Sequence, residues 1–230
     1  MSVSPLVVFL AGLTLLLLAG LIYWLLVTTE GAYLGHRVVI WLYDVTAQRY
    51  DDIKEYDAGD ERLLVTRPVL RALQGLDDPH LLDVATGTGR VPIDLLQSAY
   101  FKGHIAALDG SERMLAVARD KLAPYANRVE LLRHPAVPLP FSDDQFDCVT
   151  CLEALEFFPS DRRAVAEMAR VLRRGCTLFV TRRCGWEGKA FLHRYRSKEN
   201  MQAMLEEAGL TEVQFHPWQV NYDLVTARKL

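Results

Sequence analysis

The sequence lacks an excess of basic residues, the feature that most nucleic-acid-binding proteins display. Its 26 Lys and Arg residues are balanced by 29 Asp and Glu residues, which leaves a net charge of −3. A chain without a basic field has little electrostatic attraction for a phosphate backbone. We therefore expect no nucleic acid among the partners of this protein.

The sequence is also poor in cysteine, with four residues among 230. This excludes a small disulfide-stabilised scaffold, since such chains are short and rich in cysteine. Cys148 and Cys151 form a C-x-x-C, but their segment reads FDCVTC, a strand pattern in which positions three apart face opposite sides. We expect four free thiols and no metal site.

Charged residues are absent from the first part of the chain. Residues 6–27 form an apolar run of 22 residues. Such a run would be about 33 Å long as a helix, and the hydrocarbon core of a bilayer is about 30 Å thick. A cleaved signal peptide is disfavoured, because the run is too long, no positive residue precedes it and no A-x-A-like cleavage site follows. We predict a retained membrane anchor over residues 1–28.

The segment that follows, residues 29–59, carries signs of a membrane interface. Lys and Arg are absent before the apolar run and Arg37 follows it, which by the positive-inside rule places the bulk of the chain in the cytoplasm. Aromatic residues of the kind found at the headgroup level cluster at and just after the end of the apolar run: Tyr23, Trp24, Tyr33, Trp41 and Tyr43. We predict that residues 29–59 lie along the membrane surface and lead into the next domain, while core packing remains an alternative for the aromatics.

The rest of the chain, residues 60–230, alternates strand and helix patterns. Short apolar runs predict seven strands: 80–85, 104–108, 128–133, 146–151, 176–181, 212–216 and 220–227. Ser111, Ser160 and Ser197 are positioned to cap three of the helices between them. A further helix over residues 60–74 contains Pro68, which should kink or divide it. These units indicate an α/β domain with a mostly parallel sheet covered on both faces, in which ligands bind at the carboxyl ends of the strands.

A glycine-containing turn is the strongest functional signal. The segment LLDVATGTGRVP places Gly87 and Gly89 between a predicted strand and a predicted helix, where backbone can approach a ligand closely. A dinucleotide site would have Gly or Ala where Pro92 stands, and Asp83 would repel a pyrophosphate at the helix start. Asp83 suits a cationic group instead. Asp109, at the end of the second strand, can accept the hydroxyl groups of a ribose.

These segments resemble the class I S-adenosylmethionine-dependent methyltransferases, in particular the branch that includes the ubiquinone and menaquinone methyltransferases. The resemblance covers residues 43–230 and rests on YDVTAQRYD, LLDVATGTGR, LDGSERML, VPLPFSDDQFDCVTC and EMARVLRRGCTLFVT, in the family's order. It implies a Rossmann-like fold with a seven-stranded sheet and S-adenosylmethionine as cofactor. The cofactor contacts that it implies are Tyr50, Asp83, Ala85, Gly87, Thr88, Gly89, Asp109, Gly110, Met114, Ala136 and Cys151.

The sequence departs from the family's pattern in two places. Pro135 stands where the family often has Asp or Asn for the adenine amino group, so the resemblance leaves this task to His134 or to the backbone of Ala136. Gly175-Cys176 replaces the usual Gly-Gly of the last motif, which we interpret as a packing change. Neither departure touches the glycine turn.

Candidates for catalysis and acceptor binding follow the fourth and fifth predicted strands. Glu153 and Glu156 lie where the family places groups facing the methyl acceptor, and together with His134 they are our candidates for a catalytic base. Acids at a solvated helix start, and a polar residue at a strand end, are the alternative interpretations. Four aromatic residues are candidates for the walls of an apolar acceptor pocket, with core packing as the alternative: Phe157, Trp186, Trp218 and Tyr222.

Together these features predict a membrane-anchored methyltransferase acting on a small lipophilic acceptor, quinone-like or lipid. Catalysis would consist chiefly of holding the two reactants at near-attack distance, with a general base needed only for a protonated acceptor. Two other functions stay open at this stage. One is a nicotinamide-dependent reductase, which Asp83 and Pro92 disfavour; the other is a non-catalytic cofactor-binding or assembly subunit held at the membrane.

Overall fold

The computed structural model describes residues 4–54 and 58–230 of the chain. The α-helices are α1 Pro5–Tyr23, α2 His36–Thr46, α3 Tyr50–Lys54, α4 Ala58–Glu61, α5 Arg67–Ala72, α6 Arg90–Gln97, α7 Glu112–Leu122, α8 Asp161–Val171, α9 Gly185–Ala190 and α10 Lys198–Glu207. The strands are β1 His80–Val84, β2 His104–Asp109, β3 Val129–Arg133, β4 Phe146–Cys151, β5 Leu172–Arg183, β6 Leu210–Gln219 and β7 Tyr222–Lys229.

The described strands form one sheet in the order β3-β2-β1-β4-β5-β7-β6. Strands β1 to β5 pair in parallel, whereas β7 is antiparallel to both of its neighbours. The central strand β4 is buried along its whole length, as expected for a parallel strand covered by helices on each side. The predicted Rossmann-like, seven-stranded, mostly parallel sheet is thus confirmed. Because β1, β2, β4 and β5 run in parallel, their carboxyl ends lie along one side of the sheet. We call this side the carboxyl edge.

Local sequence signals account for several element boundaries. The hydroxyl groups of Ser111, Ser160 and Ser197 accept hydrogen bonds from backbone N–H groups three residues later, which confirms the three predicted caps. The helix around Pro68 is divided by the π-helical turn Arg62–Thr66, so that Pro68 lies in the first turn of α5, where its missing N–H costs no hydrogen bond. Strand β5 begins four residues before its predicted start, because Leu172 already pairs with β4.

Apolar side chains pack on both faces of the sheet. One face packs against α8 and α10, and the other packs against α5, α6 and α7. Cys148 belongs to the second layer and Cys151 to the first, so the two thiols point to opposite faces as predicted. All four cysteines are free. This two-sided packing makes the sheet a rigid support for the loops of the carboxyl edge.

The apolar N-terminal run forms α1 and continues through a π-helical turn. The helical stretch Pro5–Thr28 has 24 residues, is long and apolar enough to cross a membrane, and is exposed from Pro5 to Tyr23. Its end contacts the sheet domain, where the Trp24 indole N–H donates to the Ala190 carbonyl at 3.2 Å and the indole stacks on Tyr33. The chain then forms α2 and α3, which contact the loop after β2 and the end of β4.

Candidate cofactor site

A cavity opens at the carboxyl edge, between α2 and the strand ends. It encloses about 600 Å³ when the open space at its mouth is included. The lining residues come from α2 and α3 and from the loops after β1, β2 and β4: His36, Val39, Ile40, Tyr43, Tyr50, Ala85, Gly87, Asp109, Gly110, Ser111, Met114, Leu152, Glu153, Ala154, Phe157 and Phe158. Parallel sheets generally bind ligands at this edge.

The turn between β1 and α6 brings main chain to the cavity. Ala85, Gly87 and Gly89 have positive φ angles of 59°, 55° and 80°. Glycine adopts such angles without steric cost, which explains the Gly-Thr-Gly sequence. A Cβ atom on Gly89 would also lie 3.0 Å from Leu122 and 3.2 Å from Ala118, so the turn packs closely on α7. Gly87 has nothing within 4 Å of that position, because it borders the cavity.

Asp109 ends β2 and lines the cavity. One of its carboxylate oxygens accepts a hydrogen bond from the backbone N–H of Gly87 and the other accepts one from Ser111, each at 2.8 Å. Burial raises the pKa of Asp109, and these N–H groups oppose the rise. Each carboxylate oxygen can accept a second bond, so the group keeps capacity for hydroxyl groups in the cavity.

Asp83, near the end of β1, is buried behind the glycine turn. It is 3% exposed, and the Thr150 hydroxyl donates to its carboxylate at 2.5 Å. Burial raises the pKa of Asp83 to about 6, although hydrogen bonds from Thr150 and Thr86 and the charge of Arg90 act to lower it. Asp83 does not line the cavity. Its attraction for a cationic ligand would therefore act through an intervening group such as water.

Glu153 lines the cavity directly after β4, with a φ of 51° that is unusual for a residue other than glycine. Its carboxylate lies 2.9 Å from the Lys54 ammonium and 3.0 Å from the Arg90 guanidinium. Burial alone would raise the pKa of Glu153, but the charges of Arg90 and Lys54 outweigh burial and hold the pKa below its usual value. Glu153 is thus an ionised carboxylate with two cationic partners, which makes it a weak proton acceptor.

Glu156 is turned away from the cavity. The Tyr222 hydroxyl donates to its carboxylate at 2.6 Å, and the Arg183 guanidinium lies 3.4 Å away. Burial raises the pKa of Glu156, while Arg183 and Tyr222 oppose the rise. The structure therefore brings neither Glu156 nor Tyr222 to the cavity, because both serve a buried polar cluster beside it.

Three more candidates lie elsewhere. Trp186 is 72% exposed on α9, where it contributes nothing to an enclosed pocket. Trp218 packs in the core with its ring 5.3 Å from the Arg90 guanidinium. The ring Nδ1 of His134 lies 2.8 Å from the carbonyl of Pro135, outside the cavity lining. Among the predicted acceptor-binding aromatics, the cavity receives Phe157.

The residues that the resemblance assigns to the cofactor fall into two groups. Those in the cavity lining are Tyr50, Ala85, Gly87, Asp109, Gly110 and Met114. Those buried behind it, in the turn or the core, are Asp83, Thr88, Gly89, Ala136 and Cys151. The sequence pattern did not single out the individual α2 residues of the site, although the cavity-lining positions 36, 39, 40 and 43 follow helical spacing.

Helix α3 fastens this part of the chain to the glycine turn. The Thr88 hydroxyl donates to Asp51 at 2.6 Å, and the Lys121 ammonium pairs with the same carboxylate. Arg90, the first residue of α6, is also 3.3 Å from Glu61. Burial raises the pKa of Glu61 to about 7, with the charge of Arg90 opposing. Residues far apart in the sequence therefore form a charged network around the glycine turn.

A group of potential metal ligands lies on the side of the sheet opposite the carboxyl edge, at the amino ends of β1 and β2. Asp78, His80 and His104 are exposed, with the Asp78 carboxylate 2.9 Å from His104 Nδ1 and 4.0 Å from His80 Nε2. The sequence predicted no metal site, and no sequence motif indicated that these three residues lie close together. They meet because His80 and His104 are paired positions of β1 and β2.

The amino-acid sequence matches a family model described as a methyltransferase domain over residues 82–180. A protein of Geobacter sulfurreducens named ubiquinone/menaquinone biosynthesis C-methyltransferase UbiE is 32% identical over 143 residues, which cover 61% of this chain and 56% of the relative. A demethylmenaquinone methyltransferase of Bacillus licheniformis is 31% identical over 169 residues, with 60% of this chain and 72% of the relative covered. The chain thus spans little more than half of the first relative's length.

Solved structures show the same fold. A SAM-dependent methyltransferase from Aquifex aeolicus superposes with a TM-score of 0.62 at 21% identity, over 81% of this chain and 98% of that one. The [4+2]-cyclase SpnF superposes with a TM-score of 0.68 at 20% identity, over 85% of this chain and 96% of that one. At such identities the likeness concerns the fold alone.

Proposed function

Because the chain belongs to the class I S-adenosylmethionine-dependent methyltransferases, we propose that it methylates a small lipophilic acceptor at a membrane surface. The observation that carries this proposal is the cavity between the glycine turn and the apolar face of α2. Its sheet side offers polar groups suited to a nucleoside, and its α2 side offers apolar groups suited to an acceptor. One cavity therefore presents groups suited to each of the two reactants.

The residues on the sheet side fit the cofactor. The two oxygens of Asp109 are held by main-chain N–H groups and can each accept a ribose hydroxyl. Gly87 leaves room where a side chain would block the cavity, and Met114 contributes an apolar wall. The ionised form of Asp83 supplies negative charge close behind the turn, which favours a cationic ligand. S-adenosylmethionine supplies an activated methyl group when it is bound.

Apolar walls and the nature of the relatives support a quinone-like or other lipophilic acceptor. Val39, Ile40 and Phe157 line the cavity, and the rings of Tyr43 and Phe157 pack edge to face. The two curated relatives are named for menaquinone or ubiquinone methylation. An acceptor of this kind resides in the membrane, where an anchored enzyme meets it directly.

Orientation of the reactants is the main contribution that the chain makes to this reaction. Glu153 borders the cavity as an anion fixed by Lys54 and Arg90, so its role is to position groups rather than to remove a proton. Glu156 and His134 lie outside the cavity lining, and neither forms part of the proposed site.

The chain divides into three functional parts under this proposal. Residues 1–28 form the anchor, residues 29–59 form the interfacial segment, whose helices α2 and α3 line the cavity, and residues 60–230 form the methyltransferase domain. The helical stretch Pro5–Thr28 supports the anchor, and the position of Arg37 supports a catalytic domain in the cytoplasm.

Calorimetry and a methyl-transfer assay test the proposal. Full-length protein in nanodiscs should bind S-adenosylmethionine and not NAD. Incubation with methyl-labelled S-adenosylmethionine and a membrane lipid extract should then move label into the organic phase. Binding of NAD alone would support the reductase, and cofactor binding without any transfer would support the non-catalytic subunit.

A further inference from the structure

Three large exposed apolar side chains lie on neighbouring segments of the carboxyl edge. Trp186 is 72% exposed at the start of α9, Leu192 is 55% exposed just after α9, and Val220 is 95% exposed in the turn between β6 and β7. A hydrogen bond of 2.7 Å from the Cys184 N–H to the Asn221 carbonyl ties that turn to the start of α9. We call Trp186, Leu192 and Val220 the α9 surface.

The α9 surface adjoins the end of the apolar N-terminal helix. Trp24 donates to the carbonyl of Ala190, and the Tyr33 hydroxyl donates to the carbonyl of Leu192. The guanidinium of Arg194 lies 5.6 Å from the centre of the Tyr33 ring. These contacts fix the backbone before, at and after Leu192 against the segment that leaves the helix.

We infer that the α9 surface is a second membrane contact, with its three side chains in the lipid interface. The inference rests on the proposed anchor, because a spanning helix sets the height of residues 190–194 above the bilayer. Tryptophan is enriched at the headgroup level, where its ring is partly apolar and partly hydrated. The exposed Lys189, three residues after Trp186, is placed to meet anionic headgroups.

A lipid surface suits these residues better than a protein partner does. A stable protein interface buries about 800 Å² on each partner, packed around a continuous apolar centre. The α9 surface offers three side chains on separate segments, which is enough for shallow immersion beside an existing anchor.

The anchor and the α9 surface together fix the orientation of the domain on the membrane, which the anchor alone would leave free. Helix α2 lies on the same edge and exposes Trp41 and Val45 on the side away from its cavity-lining residues. With the α9 surface immersed, the domain cannot swivel about the end of its anchor. Its cavity and α2 then remain next to the lipid.

Fluorescence quenching by lipid tests the inference on the full-length protein. The protein is reconstituted in phosphatidylcholine–phosphatidylglycerol vesicles whose acyl chains are either unmodified or brominated near the headgroup, and bromine quenches the tryptophans that it contacts. Trp186→Phe should lose part of the quenchable emission. The matched control Trp218→Phe should keep all of it, because Trp218 is 8% exposed and packs in the core. Circular dichroism establishes that both variants are folded.

The possible outcomes separate the inference from the proposed anchor. If Trp186→Phe keeps the parent's quenchable emission while the protein stays with the vesicles after a carbonate wash, the anchor stands and the inference is overturned. If the parent protein itself washes off, the anchor fails and the inference fails with it. If Trp186→Ser converts an oligomer into a monomer in detergent, the surface binds a second copy of the chain and the inference is overturned as well.

Discussion

Asp83 and Asp109 lie at the carboxyl ends of the neighbouring strands β1 and β2, yet their surroundings suit them to different tasks. Asp109 is oriented by main-chain N–H groups of Gly87 and Ser111 and borders the cavity. Asp83 is held by Thr150 within the sheet and takes no part in the lining. Asp109 is therefore suited to direct hydrogen bonds, and Asp83 is suited to setting the local charge.

Asp109→Asn should weaken the binding of S-adenosylmethionine by about tenfold to a hundredfold, because a hydrogen bond to a charged group contributes about 1.5–3 kcal/mol. The measurement is calorimetric titration of folded protein. Asp120→Asn, on the exposed side of α7, is the matched control and should bind as the parent does. Parent-like affinity in Asp109→Asn would remove Asp109 from the site.

The raised pKa of Asp83 predicts a pH-dependent affinity. Below its pKa of about 6 the carboxyl group is neutral and gives no attraction for a cation, so S-adenosylmethionine should bind several-fold more tightly as the pH rises from 5 to 7. Asp83→Asn should bind more weakly and with little pH dependence over this interval. The test is to titrate both proteins with S-adenosylmethionine at several pH values between 5 and 7. If the affinity of the parent does not change with pH, Asp83 does not attract the cofactor.

At the residue scale, the sequence predicted which residues meet at the cavity where their position depends on a local motif. Asp109 and Gly87 follow from a strand, a turn and a spacing, and the structure brings both to the cavity. The predicted positions of Trp186 and Glu156 depended on the direction in which each side chain points after its strand ends. That direction is set by tertiary neighbours, such as Arg183 for Glu156, which no local pattern reveals.

At the scale of elements, α3 links the N-terminal segment to the cofactor site. Its Asp51 carboxylate contacts Thr88 of the glycine turn and Lys121 of α7, and its Lys54 contacts Glu153. Since α3 is only five residues long, these side-chain contacts rather than its own helical hydrogen bonds hold it in place.

Asp51→Ala should speed the release of S-adenosylmethionine by about two- to fivefold, because partly exposed ion pairs and hydrogen bonds contribute about 0.5–1 kcal/mol. Stopped-flow dissociation measures the rate. The control is Asp52→Ala, the exposed neighbour on the same helix, which should keep the parent's rate. Equal rates in all three proteins would show that α3 does not retain the cofactor.

The elements themselves were largely predictable, because seven strands and three serine caps carry strong local signals. The individual residues that α2 contributes to the cavity were not. Its helical spacing is visible in the sequence, but its position over the cavity depends on contacts such as Asp44 with Ser111, which are 67 residues apart. A contact that closes so long a loop cannot be recognised in a local sequence pattern.

At the scale of the molecule, the N-terminal helix lies outside the buried core. Residues Pro5–Tyr23 are exposed, and the buried apolar clusters begin at Ala32. A chain without residues 1–28 loses the Trp24–Ala190 hydrogen bond and the stacking on Tyr33, but none of the described residues 4–28 belongs to a buried apolar cluster.

A protein lacking residues 1–28 should therefore fold, bind S-adenosylmethionine with an affinity close to the parent's, and sediment without membranes. Circular dichroism, calorimetry and membrane fractionation measure these properties. The full-length protein should resist a carbonate wash of the same membranes. Loss of cofactor binding in the shortened chain would show that the helix supports the domain, and release of the full-length protein would exclude an integral anchor.

The cavity between the glycine turn and α2 has a consequence for how the two reactants are supplied. If the α2 side faces lipid and the turn faces water, the acceptor arrives by lateral diffusion and the methyl donor arrives from the aqueous pool. The donor's demethylated product also returns to water, while the methylated acceptor partitions back into the bilayer. Turnover would then respond separately to the composition of two phases, and diluting the acceptor in the membrane with inert lipid would slow the reaction at a constant bulk concentration of every component.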